Sequence, residues 1–369
     1  MKLLYIINVR MPTEKAHGFQ IAKMCESFAR LGIEVELLVP QRDNSITQDA
    51  FSYYKIERLF KITYVHVPDI TKSKIGYYIH QMLFAAVATV YAYRSNCDLV
   101  YSRDVLPLQI IKFFKKAILE VHNVPEHWVL FYQWSLYKIY RVISTNNWKK
   151  NFLIEQFNYP TEKILVFPNA IDLTAYQTSE SRENICKQLG LDSKFRHVVY
   201  TGHLYEWKGA HILAQAANRV PIDVRVLFVG GTDIDLKKFT AQFGNEQIIV
   251  VPHQPHEIIP LYLAIADVVV IPNIPSSRES TFATSPMKLF EYMAAARPIV
   301  ASDLPSIREI LDDSTALFVP AGDVQALAQG INALLNDLNR ATTFARAARQ
   351  KVESYTWMER AEKIENFIR

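Results

Sequence analysis

Cysteine is scarce in this 369-residue chain: there are three, Cys25, Cys97 and Cys186, an odd number and widely spaced. They make neither a disulfide framework nor a metal-ligand cluster, which fits a reducing, cytoplasmic setting. A charge excess is missing too, with 41 Lys and Arg against 37 Asp and Glu. No arginine-rich run marks a nucleic-acid partner, and no low-complexity tract or fixed-period repeat is present. The amino terminus MKLLYIINVR imitates a signal peptide only briefly. Its apolar run is short and Arg10 stands where a small-residue cleavage site would be, so it reads as a β-strand. The longest apolar stretch, IGYYIHQMLFAAVATVYAY (75–93), contains His80 and Gln81 and is bounded by Lys74 and Arg94. A membrane span needs about 20 more uniformly apolar residues, so this stretch reads as a buried or interfacial helix. Neither half has the Gly-x-Gly-x-x-Gly loop followed by an acidic ribose residue, which argues against an NAD-dependent dehydrogenase.

What is present is globular: half of the residues are apolar and 21% are charged. The length is too great for one core and suits two domains. Val/Ile/Leu runs recur with helix-length spacing: LLYIINV (3–9), VELLVP (35–40), DLVYS (98–102), AILEVH (117–122), RVIST (141–145) and ILVFPNAID (164–172). The rhythm restarts with HVVYTGHL (197–204), RVLFVGG (225–231), QIIVVP (247–252), DVVVIP (267–272) and RPIVASD (297–303). Continuous apolar strands of this kind belong to parallel sheets covered on both faces. The expected fold class is therefore α/β, with two facing doubly wound Rossmann-like domains and a cleft between them. The expected boundaries are 1–172 for the first domain, 173–190 for a linker, 191–355 for the second domain and 356–369 for a terminal helix that packs back on the first. The first 172 residues hold 21 basic and 15 acidic side chains, the remainder 20 and 22. Plain solvation accounts for this mildly basic half, which is also compatible with a peripheral membrane contact.

Ligands of open α/β sheets sit at the carboxyl ends of the strands. After DVVVIP comes a polar loop, and then TSPMKLFEYMAAARPIV (284–300). Ser285 stands where a helix N-cap belongs and Pro286 at the first helical position. Met287, Phe290 and Ala294 form the face expected against the sheet. Lys288 and Glu291, three apart, share one helix face. Two readings fit. Either a nucleotide diphosphate rests on the helix start with Glu291 on its ribose, or Lys288 and Glu291 are a solvated pair on an ordinary helix.

SPMKLFEYMAAARPIVASD resembles the donor-binding helix of retaining glycosyltransferases of family 4, which have the glycosyltransferase B fold. TGHLYEWKG (201–209) resembles that family's Gly-Arg-Leu…Lys-Gly element, and LYLAIADVVVIPN matches its Leu, Ala-Asp, apolar, Pro strand. VFPNAIDL (167–173) is similar to the turn that ends the family's first domain, and residues 9–40 look like its first βαβ unit. The resemblance implies that Lys208 contacts the donor diphosphate, that Glu291 takes the ribose, and that Ser285, Pro286 and Met287 offer backbone to the phosphates. Gly202 would allow close approach of the donor. His203 stands where the family has arginine, and can still donate to phosphate. Ala283 stands where the family has the first of two glutamates eight positions apart, with Glu279 a substitute four residues earlier in the loop.

In the first half, AILEVHNVPEHW resembles the family segment whose histidine reaches the sugar, which assigns that role to His122; His127 has no such support. The loop RMPTEKAHG (10–18) could close over donor and acceptor, with Lys15, His17 and Gly18 as its notable members. Arg103 and Asp104 share the same strand edge, in acceptor contact or in an ion pair. His253 and His256 lie where the base belongs, with no carboxylate or cysteine to complete a metal set. Trp357 reads as a packing anchor. The expected function is retaining, metal-independent transfer of a hexosyl group from a nucleotide-diphosphate sugar, UDP before GDP, to a saccharide, lipid-linked or small-molecule acceptor. No cofactor is expected. Polysaccharide, glycan or glycolipid synthesis is the expected setting. The alternatives are a non-catalytic nucleotide-sugar-binding module and a nucleotide-sugar 2-epimerase.

Overall fold

Strands that are apolar on both faces are stable only between two layers, and both sheets of the chain are built this way. The computed structural model describes residues 1–125 and 129–369, so His127 lies outside the described residues. Unit 1 comprises Met1–Pro168 and Trp357–Arg369, and unit 2 comprises Asn169–Thr356. Unit 1 contains β1 (Lys2–Ile6), β2 (Glu34–Pro40), β3 (Lys61–Val65), β4 (Leu99–Ser102), β5 (Lys116–Val121), β6 (Arg141–Ser144) and β7 (Ile164–Val166). They pair in the order β3-β2-β1-β4-β5-β6-β7, and every pair is parallel.

Unit 2 contains β8 (Arg196–Thr201), β9 (Val224–Val229), β10 (Ile248–Val251), β11 (Val268–Ile271), β12 (Ile299–Ser302) and β13 (Leu317–Val319). Their order is β10-β9-β8-β11-β12-β13, again parallel throughout. Alternate residues of its strands feed two separate cores. Val199, Leu227 and Val269 join one, while their neighbours Val198, Val226 and Val268 join the other. The order reverses between β1 and β4 and between β8 and β11, the switch points at which such sheets leave a crevice for ligands.

Several expectations need correction. Residues 173–190 are not a linker: they belong to unit 2 and include the helix Arg182–Leu189, whose Ile185 and Cys186 are buried. The first helix runs Ala16–Arg30 and so takes in the end of the 10–18 loop, and the strand within 164–172 ends at Val166. The edge strands β3 and β13 were not expected from sequence because both are short and largely half-exposed.

The last helix, Trp357–Ile368, is part of unit 1. Trp357 is buried and packs edge-on against Phe19, with ring centroids 6.5 Å apart. The same helix buries Arg360 completely. Its guanidinium donates to the Pro168 carbonyl at 3.0 Å and to Glu120 Oε1 at 3.0 Å. Glu120 is fully buried in β5, so the pair joins the chain terminus to the centre of the sheet. Truncating one member of a buried ion pair strands the other charge. Arg360→Ala should therefore destabilise unit 1 by about 3–5 kcal/mol, read as a lower denaturant midpoint; an unchanged midpoint would contradict the pairing.

Candidate functional site

In unit 2 the residues singled out by sequence gather at the carboxyl end of β8. Gly202 follows that strand with φ of 119°, a backbone conformation that suits glycine. A Cβ placed there would lie 3.7 Å from Lys288 Nζ and 3.9 Å from Lys208 Nζ. Two ammonium groups thus converge on one point beside bare backbone. Lys208 ends the 3₁₀ turn Glu206–Lys208. The following Gly209 has φ of 71°, and a Cβ there would fall 1.7 Å from the Pro272 carbonyl oxygen. Glycine at this position lets the Lys208 turn close against the strand β11 loop, which the Ile274 N–H secures by donating to the Trp207 carbonyl at 3.0 Å.

Lys288 and Glu291 lie on the helix Met287–Ala294. They are not a solvated pair: both are buried. Leu289, Phe290, Tyr292 and Met293 are buried as well, so the helix is enclosed almost all round, while Met287, expected against the sheet, is only half-buried. The Tyr292 hydroxyl accepts from the Thr201 N–H at 2.8 Å and so fixes the helix to the end of β8. The helix start differs by one position from expectation. Pro286, with φ −70° and ψ 131°, is extended and caps the helix, no side chain caps it, and the first helical residue is Met287. Ser285 instead presents its carbonyl to Asn169 Nδ2 at 2.6 Å. The first-turn N–H groups therefore have no side-chain cap, the condition under which a helix start attracts an anion.

The charges are unbalanced. Lys288 Nζ is buried without a hydrogen-bond acceptor among the described residues and sits 3.8 Å from the Tyr200 ring centroid. Burial, and then repulsion from Lys208, hold its ammonium well below the usual lysine range, with Glu291 opposing. Burial also lowers Lys208, again against Glu291. Glu291 Oε1 lies 3.3 Å from His256 Nε2. Tyr176 is buried next to the same carboxylate, and burial with that charge raises its phenol well above the ordinary value. His203 stacks on Tyr205, ring planes 5° apart and centroids 4.9 Å apart. His253 is exposed, and Glu279 is exposed on the single π turn Glu279–Ala283, whose last residue Ala283 is buried.

In unit 1 the corresponding strand ends hold a compensated cluster. Glu120 accepts from the hydroxyl of Tyr101. It pairs with Arg103 at 3.0 Å, with Arg360 at 3.0 Å and with His122 Nε2 at 2.5 Å. Burial alone would raise the Glu120 carboxyl, but Arg103 and Arg360, with His122, hold it well below the carboxylate range. Burial, and then Arg103, lower His122 to about 4, so the ring is neutral near pH 7. Of the alternatives for Arg103, the structure shows the ion pair. Asp104 accepts from the Asn8 N–H at 2.5 Å, and burial pushes its carboxyl up to about 6. Burial, then Arg103 and Lys15, lower His17 to about 4. Lys15 is exposed. Gly18 is not in an open loop. It lies in the first turn of the helix Ala16–Arg30, where a Cβ would meet Tyr54 Oη at 2.2 Å and Thr13 Cγ2 at 2.5 Å, so packing demands glycine there. A cavity of about 1060 Å³ opens at the amino ends of β1 and β2 and gathers none of these residues.

Lys288, Asn169, Tyr176 and the Glu120–Arg360 pair were not assigned roles from sequence. Lys288 carried a signal, a lysine on the helix that holds Glu291, but its burial depends on the fold. Arg360 carried none.

Residues 18–175 match the family model Glycosyltransferase Family 4, and residues 195–337 match Glycosyl transferases group 1. One curated relative, the D-inositol 3-phosphate glycosyltransferase of Corynebacterium urealyticum, is 28% identical over 207 residues, covering 52% of this chain and 47% of the relative. The chain spans about half the length of the curated relatives it matches. The sucrose-phosphate synthase of Thermosynechococcus elongatus is similar in structure, with a TM-score of 0.81 at 17% identity over 99% of this chain and 97% of that one. HepE of Anabaena, solved with UDP and glucose, gives 0.77 at 18% identity over 99% and 98%. At these identities the likeness shows the fold, two parallel-sheet Rossmann-like domains of the glycosyltransferase B type.

Two outcomes follow from the electrostatics. His122 should show no ring titration above about pH 5 by NMR, given a value near 4 against about 6.5 in an unfolded chain; a midpoint near 6.5 would refute its enclosure by cations. For Lys288 the folded state favours the neutral amine, so the group costs stability at neutral pH; that cost begins to fall as pH rises through the folded pKa and is gone only above the unfolded lysine value of about 10.4. Lys288→Met should accordingly raise stability by about 1–3 kcal/mol while weakening binding of inorganic pyrophosphate; a melting temperature that falls would contradict the unpaired charge.

Proposed function

The chain belongs to the glycosyltransferases of family 4 and group 1, and from that membership we propose that it moves a hexosyl group from a nucleotide-diphosphate sugar to an acceptor hydroxyl with retention of configuration. The observation that carries this reading is the pair of lysine side chains, Lys208 and Lys288, brought together at Gly202. A diphosphate is the ligand whose charge they would neutralise. Its oxygens would also take the uncapped N–H groups of Met287 and Lys288, and Glu291 would accept from the ribose hydroxyls. His203, stacked on Tyr205, is assigned to the same diphosphate.

In this reading the bond between the anomeric carbon and the phosphate oxygen breaks, and its electron pair leaves with the diphosphate. The acceptor oxygen forms the new bond and gives up its proton, for which a departing phosphate oxygen is the available base. The sugar passes through an oxocarbenium-like state, and the negative charge grows on the leaving group. The lysines stabilise that charge without reorganising, because they are already held in place, so the reading calls for no metal ion. In unit 1 a neutral His122 is assigned to the sugar, oriented by Glu120. Lys15, which caps the helix Ala16–Arg30, and His17, in its first turn, keep an assignment near donor and acceptor, while Gly18 serves packing, and Arg103 acts through Glu120. UDP is the preferred carrier, in keeping with HepE having been solved with UDP and UDP-glucose. Polysaccharide or glycolipid assembly is the proposed setting.

One feature supports a second reading. Ala283 is buried and small where the family has a glutamate, which suits a module that binds nucleotide sugar without turning it over. Slow hydrolysis of UDP-hexose separates the two, since a pure binding module releases no UDP. For either reading Lys208→Ala should weaken UDP binding about 10- to 100-fold, the worth of one charge-assisted bond, in calorimetry. Unchanged affinity would remove Lys208 from the site. Binding should also take up protons at mildly alkaline pH, as the diphosphate restores the charge on Lys288; enthalpies that do not vary with the buffer would count against this.

A further inference from the structure

The helix Lys74–Arg94 has no charged residue between its two ends. It buries only Gly76, His80, Phe84, Ala88 and Ala92, a stripe one residue wide at spacing four. An ordinary surface helix turns a polar face outward. This one exposes Ile75 (75%), Tyr78, Ile79, Met82 (66%), Val90 and Tyr93 (73%).

The apolar surface does not stop at that helix. Tyr93 packs edge-on against Phe114, just past the helix Val105–Ile111, with centroids 5.5 Å apart. The preceding residue, Phe113, stands 6.2 Å from Trp134 of the helix Val129–Leu136, and Trp134 stacks on Tyr137 at 5.6 Å. Lys138 Nζ lies 5.1 Å from the Phe113 ring. Trp134 is 53% exposed and Leu130 81%. A run of rings thus crosses from one helix to the third, all within unit 1. Contiguous apolar surface of this extent marks a protein or membrane contact.

Charge selects between the two. The three segments that carry the surface, residues 72–95, 105–116 and 129–140, contain Lys72, Lys74, Arg94, Lys112, Lys115, Lys116 and Lys138 and no Asp or Glu. All but Lys112 and Lys115 are exposed. A second copy docked on the same face would set cations against cations, which disfavours self-association. An anionic bilayer complements every part: acyl chains for Ile75, Met82 and Leu130, the headgroup layer for Tyr78, Tyr93 and Trp134, and acidic lipid for the lysines. Among the described residues no helix is long and apolar enough to cross a membrane, so the contact would be one-sided, with the folded unit serving as the polar face.

We propose that unit 1 docks on an anionic lipid surface through the helix Lys74–Arg94 and the adjoining rings of Phe113, Phe114, Trp134 and Tyr137. This docking goes beyond the donor reading and does not depend on it.

The test is co-sedimentation of the full chain with vesicles, either phosphatidylcholine alone or phosphatidylcholine with phosphatidylglycerol. The expected result is partition into the anionic vesicles at least tenfold above the neutral ones, falling as salt is raised. Two variants separate the contributions: Tyr78→Ser/Met82→Ser/Tyr93→Ser removes apolar contact, and Lys72→Gln/Lys74→Gln/Lys116→Gln/Lys138→Gln removes charge. Each should lower partition at least tenfold, by the scale of about fivefold per basic residue, with the melting temperature kept as the check on folding. UDP binding, measured in parallel without vesicles, fails or holds independently. No partition into anionic vesicles, or equal partition by the variants, would overturn the proposal. So would a dimer in analytical ultracentrifugation that the apolar variant dissolves and vesicles leave intact.

Discussion

An excess of buried positive charge at one point organises unit 2. Lys208 and Lys288 approach the same spot beside Gly202, and the one carboxylate on the same helix face, Glu291, is engaged by His256. Two ammonium groups drawn out of water and toward each other are costly unless an anion joins them. The surroundings maintain the arrangement: the Tyr292 hydroxyl fixes the helix to β8, Gly209 lets the Lys208 turn pack on Pro272, and Asn169 holds the carbonyl before the helix start. Strain of this electrostatic kind, in a rigid setting, is relieved by a bound anion.

Unit 1 solves the same problem in the opposite sense. Its buried carboxylate, Glu120, is surrounded by Arg103, Arg360, His122 and Tyr101 and is satisfied by the protein itself. Such a cluster needs no ligand. It fixes the orientation and the neutral state of His122, a hydrogen-bonding group without charge. One of its members arrives from the far end of the chain, so the terminal helix is part of the support for a residue more than two hundred positions earlier.

The two units differ at their surfaces as well. Unit 2 covers both faces of its sheet with ordinary helices, whereas unit 1 leaves an uncharged helix and a row of aromatic rings open to solvent, on segments that carry Lys and Arg and no Asp or Glu. Reading 75–93 by composition left open whether it was interior or interfacial. Its stripe of five buried residues decided that most of it faces outward.

The sequence by itself determined the class of fold and which residues were candidates for the site. Apolar runs at regular spacing specify parallel strands, and the order of those strands follows from crossover rules more than from any single side chain. Gly202, Lys208, Ser285 and Glu291 were legible as candidates because they lie in the segments that follow β8 and β11, Glu291 on the helix after the second, where local pattern and resemblance coincide. Only the tertiary structure decided that Lys288 is buried beside Lys208, that Gly18 is glycine because Tyr54 and Thr13 press on it, that residues 173–190 are built into unit 2, and that Arg360 reaches Glu120. The reason is the same in each case. Burial and charge balance depend on residues far apart in the chain, and a linear pattern carries spacing and polarity but not which distant groups will share one dry volume.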